Sequence, residues 1–341
     1  MTAVSSSPIT QVTPMAAPNL QPQLLTRLHL DLRSQRFSVD RDTIMNLPES
    51  VLLCLFPNGL VLSRQSMAFT DGGDNDDEEE VYNVDFDPDC LTFVLEFFRV
   101  TQENFYGSAT NPGLFAAQQH LAETLPVHDF APTNNPLLTK QAIIVLREEL
   151  EYFAIPPKSD EPSTDEHGLP NDTLLDVKRK CGNVLLEKRN IFTALQRNVN
   201  KENNVAEQHL IDMLCMSGFD REDTWGYRAL EPHRCSISSI ALVLLKTGIQ
   251  HLDTPSPTNP SVNHVLLDSQ QMATAQKLLL FWRKPARKCW WDGLEVEVPG
   301  YESGPPKAVK LWARRVWTLE LSLVSFGSLC SACSGLIVVQ V

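Results

Sequence analysis

The chain has 341 residues, 43% hydrophobic and 21% charged, which fits two globular domains and excludes a fibrous or wholly disordered polymer. Its net charge of −13 is unevenly spread: residues 1–160 hold 9 Lys/Arg against 22 Asp/Glu, while residues 161–341 hold 20 of each. An acidic first half repels phosphate backbones, so nucleic acid is not expected as a partner.

Residues 1–23 read as a disordered tail, broken by Pro8, Pro14, Pro18 and Pro22. They carry neither a basic start nor an apolar run, so no secretory signal is expected. The eight cysteines (54, 90, 181, 215, 235, 289, 330, 333) show no framework spacing and read as reduced thiols of the cytosol or nucleus, a cytoplasmic location being the expectation.

From Leu24 to Val39 the apolar residues alternate, and Arg33-Ser34-Gln35 is placed to turn one strand into the next. Asp40 or Asp42 suits an N-cap for a helix through Ile44, and Leu52–Phe56 suits a second, ended by Pro57 and Gly59. Residues 71–80 are a solvated acidic loop, and Val81–Val84 a short strand. Asp87 followed by Pro88 predicts a capped helix through Cys90, Leu91, Val94 and Phe98. Residues 101–137 read as an insertion with a short helix near 115–124. The spacing of Ile143, Ile144, Leu146, Leu150 and Phe153 predicts an amphipathic helix over 140–153, ended by Pro156-Pro157.

A polar linker over 159–170 leads to a second α+β domain over 171–324. Helices are expected over 173–198 and 205–216, with Gly218 at a C-cap. Strands are expected over 235–245, 278–282, 294–298 and 310–324.

Four segments in order carry a family resemblance: Leu28–Ile44, then LPESVLLCLFPNG, VYNVDFDPDCLTFVLEFFR and LREELEYFAIPP. Together they resemble a BTB/POZ domain of the potassium-channel-tetramerisation type, placed over 24–158. Arg41, Thr43, Asp87, Phe93, Leu95, Phe98, Arg99, Glu148, Tyr152 and Phe153 fall in matching places. The first hairpin has Arg33-Ser34 where that family has two glycines, and residues 101–137 replace a short connection. The segments 287–300 (RKCWWDGLEVEVPG) and 309–324 (VKLWARRVWTLELSLV) are similar to the fungal Whi-two family of stress-response and growth regulators.

That resemblance implies a non-enzymatic adaptor that self-associates through its BTB half. Its implied partner is a membrane-associated phosphatase of the haloacid-dehalogenase class, in stress response and restraint of TOR signalling. Membrane association would then be indirect, at the plasma-membrane periphery. The alternative is a substrate adaptor of a cullin ubiquitin ligase. No cofactor or metal is implied.

Catalytic motifs weigh less than structural readings. Asp85-Phe86-Asp87 has the Asp-x-Asp core of an aspartyl-phosphate site, but Asp89 takes the place where such sites carry Thr or Val. Asp87 therefore reads as a helix cap. Cys90 and Cys181 lack an Arg six positions on, and Cys330-x-x-Cys333 has no second ligand pair. Over 277–317 cations and tryptophans interleave, which gives Arg283, Lys284, Arg287, Lys288, Trp290, Trp291, Arg314 and Arg315 as candidate partner-binding residues. The same pattern also suits aromatics filling a core while the cations face water. Leu321–Val341 carries no charge; it reads as a buried strand followed by an apolar tail over 325–341 rather than a membrane anchor.

Overall fold

The computed structural model describes residues 23–60, 63–64, 81–110, 113–124, 135–155, 172–202, 205–252, 264–298 and 307–324. Within them the fold is α+β. The acidic loop 71–80, the linker 159–170 and the segment 325–341 lie outside the described residues.

The first half opens with β1 (Gln23–Leu24), then a hairpin of β2 (Arg27–Leu32) and β3 (Gln35–Asp40). Arg33 and Ser34 turn that hairpin at positive φ, 51° and 74°, as a two-residue connection between twisted strands requires. Helices α1 (Arg41–Met45) and α2 (Glu49–Leu55) follow, then β4 (Ser63–Arg64), which pairs with β1. Strand β5 (Val81–Val84) lies parallel to β2 and completes the sheet β3-β2-β5. Asp87 caps α3 (Pro88–Tyr106), accepting from the backbone N–H of Asp89 and Cys90 at 2.9 and 3.0 Å. Such a cap contributes about 1 kcal/mol. Helix α4 (Phe115–Thr124) stands where the insertion was expected to fold.

Gln141–Ile155 is a fifteen-residue strand, β6, and not the expected helix. Ala142, Ile143, Ile144, Val145 and Leu146 are all fully buried, so both faces of this stretch are apolar. A helix spacing and a doubly buried strand look alike over five residues, and the β-branched content favours the strand. β6 precedes the expected boundary at 158, yet its two neighbours follow that boundary. The five-stranded sheet is thus assembled from both sides of it.

The predicted helix over 173–198 is two helices, α5 (Asp172–Glu187) and α6 (Thr193–Glu202), before α7 (Val205–Ser217). Strands β7 (Tyr227–Leu230), β8 (Ser236–Leu244), β9 (Ile249–Leu252) and β10 (His264–Leu267) come next. Residues 278–282, expected as a strand, end α8 (Ser269–Trp282). Met272, Ala275, Leu278, Leu279 and Trp282 form one buried helical face, and Asp268 caps the first turn. The chain ends its described course with β11 (Ala286–Val298) and β12 (Lys307–Val324). The large sheet runs β11-β12-β6-β8-β7, with every neighbouring pair antiparallel.

One face of this sheet carries the helices. Leu146, Trp317, Leu319 and Leu321 pack with residues of α6, α7 and α8, while Leu150, Leu311 and Ala313 pack with Cys181 and Leu185 of α5. The opposite face is covered only in part by the described residues. Ile143, Val145, Ile240, Leu242 and Val324 share a core with the hairpin, α1, α2 and α3.

Candidate interaction site

The uncovered remainder of that second face is the first candidate. In a strand, alternate residues share a face. The cross-strand register places Phe153 beside Trp312, Trp312 beside Gly293, and Trp291 beside Arg314. Phe153, Trp291 and Trp312 are 50%, 56% and 51% exposed, and Ile155 adds to the patch. The rings of Phe153 and Trp291 stack with centroids 6.0 Å apart. Gly293 leaves open space in the middle of the patch, where a Cβ would meet nothing within 4 Å. Arg314 pairs with Glu151 at 3.1 Å at its border. Three half-exposed aromatic rings on one sheet face make a patch with the aromatic composition found at binding hot spots.

Behind them, on the helix-bearing face, charge is buried in a row. Arg228, Ser239, Glu148, Trp317 and Lys288 occupy successive register positions across β7, β8, β6, β12 and β11. Glu148 Oε2 accepts from Arg228 at 2.7 Å, and its Oε1 accepts from Arg315 at 2.6 Å and from the Trp317 indole at 3.2 Å. Burial raises the Glu148 carboxyl pKa, but Arg315 and Arg228 outweigh that and hold it below the usual carboxylate range. Removing one member of such a buried network strands the others and costs about 3–5 kcal/mol.

A third cluster joins the two halves. Arg33 at the hairpin turn reaches Asp85 at 2.9 Å, Asp87 at 3.5 Å and Glu231 at 2.5 Å. Tyr227 donates to Asp87 at 2.6 Å, and Arg234 pairs with Asp85 at 3.1 Å. Both carboxylates of the Asp-x-Asp motif are therefore engaged in capping and in holding β7 and β8 to the hairpin. Cys90, inside α3, has its thiol pushed up to about 12 by burial, which disfavours a nucleophilic thiolate. Among the described residues no group of three or more His, Cys, Asp or Glu is arranged to hold a metal ion.

The eight candidate residues do not form one surface. Trp291, Arg287 and Arg314 belong to the uncovered face. Arg315 is buried in the Glu148 network, and Trp290 packs edge-on to Trp317 at 5.6 Å beneath the Lys288 ammonium. Lys288 pairs with the buried Glu207 at 2.6 Å. Arg283 and Lys284 follow α8 on the helix-bearing side, next to Leu280 and Phe281, which are exposed. Arg315 is buried against Glu148, whereas Trp290 and Lys288 are half-buried and engaged within the fold. Phe153 stands outside the eight because the sequence reading makes 140–153 a helix; Trp312, on the expected strand 310–324, stands outside them because only the register decides which face it joins. Read as a strand, LREELEYF places Arg147, Glu149, Glu151 and Phe153 on the second face and Glu148 on the helix-bearing one.

No family model matches the chain. It is 33% identical to a WHI2-like protein of Schizosaccharomyces pombe, over 86% of each chain. It is 28% identical to a growth regulation protein of Saccharomyces cerevisiae, over 87% of this chain and 91% of that one. An uncharacterised protein of Schizosaccharomyces pombe is 22% identical over 87% of both.

Proposed function

The chain belongs to the WHI2-like family of fungal proteins, and on that footing we propose that it is a non-enzymatic adaptor in growth regulation. The observation that carries this reading is the rigid aromatic patch of Phe153, Trp291 and Trp312 on the uncovered sheet face. A related growth regulation protein in Saccharomyces cerevisiae supports the process.

The partner in this reading is a haloacid-dehalogenase-class phosphatase, recruited or activated during stress. Residues 24–158 serve in this reading as a BTB/POZ-type module through which copies self-associate, with β6 shared with the large sheet. Support for that module comes from a hairpin, two short helices, a strand parallel to the first and a capped helix, in that chain order. No helix among the described residues is long and apolar enough to cross a membrane; membrane association runs through the partner.

The test is co-purification from stressed cells using the full chain and a Phe153→Ala, Trp291→Ala, Trp312→Ala variant. Phosphatase activity is expected with the wild type and lost with the variant. Recovery of a cullin in place of phosphatase activity would overturn the phosphatase reading in favour of a ubiquitin-ligase adaptor. Equal capture by both chains would remove the aromatic patch from the function.

A further inference from the structure

The two most exposed large hydrophobic side chains among the described residues stand side by side. Leu280 is 81% exposed and Phe281 76%, both in the last turn of α8. Leu278, Leu279 and Trp282 of the same turn are buried in the core beside Trp317, Leu319 and Leu321 of the sheet. The helix end is therefore already seated, and Leu280 and Phe281 add nothing to that core. A single exposed leucine is ordinary, but a Leu-Phe pair held in water on a seated helix end is an apolar point.

Cations surround this point. Lys277 lies three and four positions before the pair, on the same face of α8, and Arg283 and Lys284 follow the helix directly. All three are exposed, and none forms an ion pair among the described residues. Arg287, exposed as well, opens β11, while Lys288 is taken by Glu207. Residues 269–291 hold five Lys/Arg and no Asp/Glu, in a chain whose net charge is −13. The large sheet keeps this stretch apart from the acidic half: α8 packs on one face, and the hairpin with α1, α2 and α3 on the other. Packed layers lie about 10 Å apart, beyond a screening length of about 8 Å at physiological salt, so the local charge at the helix end is positive.

We propose that the C-terminal end of α8 docks on an anionic lipid surface. Leu280 and Phe281 enter the boundary between headgroups and acyl chains, and Lys277, Arg283 and Lys284 meet the headgroup phosphates and carboxylates. An acidic protein would answer the cations but would need a pocket shaped for the Leu-Phe pair; a fluid bilayer takes both without one. Each cation beside such a surface is worth about fivefold in affinity. Three cations and two apolar side chains thus make a reversible, salt-sensitive contact. It belongs to the chain itself and adds to the membrane association that runs through the partner in the reading above.

The test is sedimentation of the purified full chain with phosphatidylcholine vesicles, with and without phosphatidylserine, at low and at physiological salt. No phosphatase is present, so the outcome is separate from that of the co-purification. Binding is expected only to the vesicles that contain phosphatidylserine, and it should weaken as salt rises. Arg283→Gln with Lys284→Gln should weaken it about twentyfold or more, two cations at about fivefold each. Leu280→Ser with Phe281→Ser should weaken it about tenfold or more. Neither pair should lower the unfolding temperature, because water already surrounds these side chains. The proposal is overturned if the anionic vesicles bind no better than phosphatidylcholine alone, or if either variant binds as tightly as the wild type. Retention on a polyglutamate matrix without vesicle binding would also overturn it, and would put an acidic protein in the place of the lipid.

Discussion

The second face of the large sheet has two halves built from the same strands and treated in opposite ways. At one end Ile143 and Val145 of β6, with Ile240 and Leu242 of β8, disappear beneath the hairpin and its helices. At the other end Phe153 and Ile155 of β6, with Trp312 of β12 and Trp291 of β11, stand in solvent. The open half carries the larger apolar side chains, but sets them among Glu149, Glu151, Glu295, Lys310 and Arg314 on the same face. What separates the halves is coverage: the described residues of the first half reach only so far across the sheet. Aromatic rings left half-exposed beyond that limit suit the docking role proposed for them above.

The largest effect expected from this comparison concerns residues 24–158 alone. That fragment keeps the covering module and β6 but loses β8 and β12, the strands on either side of β6. Both edges of β6 would be unpaired, and Ala142, Ile144 and Leu146 would lose the helices packed on them. The fragment is expected to show no cooperative unfolding transition and to aggregate on size exclusion, where the full chain unfolds cooperatively. A soluble fragment with a sharp melt would mean that the covered half is a self-sufficient core and that the two halves are not one sheet in energetic terms.

Much of the first half was legible in the sequence. The turn at Arg33-Ser34, the Asp87–Pro88 helix start and the short helix at 115–124 each rest on local chemistry that the structure repeats. The central strand was not legible, because five consecutive buried apolar residues have no period to read. Leu278–Trp282 failed for the same reason in the other direction: a run of LLLFW hides a helix whose face extends back to Met272. The candidate site suffered most. Whether Arg315 faces solvent or Glu148 is decided by partners far along the chain, Arg315 and Glu148 being 167 positions apart. The alternation of Trp290 and Trp291 between core and surface needed the strand register, which no local signal supplies.

A smaller effect sits at the seam between the halves. Glu320 of β12 belongs to the covered half and accepts from the Ser50 backbone N–H at 2.9 Å, while Arg147 donates to the Ser50 carbonyl at 2.8 Å. Burial raises its carboxyl pKa to about 7, Glu49 adds to the rise, and the Ser50 bond and Arg147 oppose it. The folded chain thus holds this proton more tightly than the unfolded chain, whose carboxyl keeps its ordinary value of 4.5. The contribution of Glu320 to stability is full below that value and is lost as pH rises through about 7. The difference amounts to about 3 kcal/mol at most. Glu320→Gln keeps a neutral acceptor for Ser50 at every pH. It should change urea stability little at pH 5 and raise it by up to about 3 kcal/mol at pH 8. A variant equally destabilised at both pH values would show that the charge on Glu320 holds the covering module down.

The smallest effect on stability should come from the open half, and it sets the sharpest test of the comparison. Trp312 is 51% exposed and lies between Gly293 and Phe153 in the register. Ile143, on the same face, is fully buried. Ile143→Ala removes packed atoms from a closed core and is expected to cost about 2–5 kcal/mol. Trp312→Ala removes a larger side chain but leaves little void, because solvent already touches half of it. Its cost should stay within about 0.5 kcal/mol, as for other surface changes. Urea midpoints of the two variants, measured beside the wild type, decide the matter. If Trp312→Ala falls as far as Ile143→Ala, the open half is closed in solution by the chain itself or by a second copy. The aromatic patch would then be core rather than a docking face for a different protein.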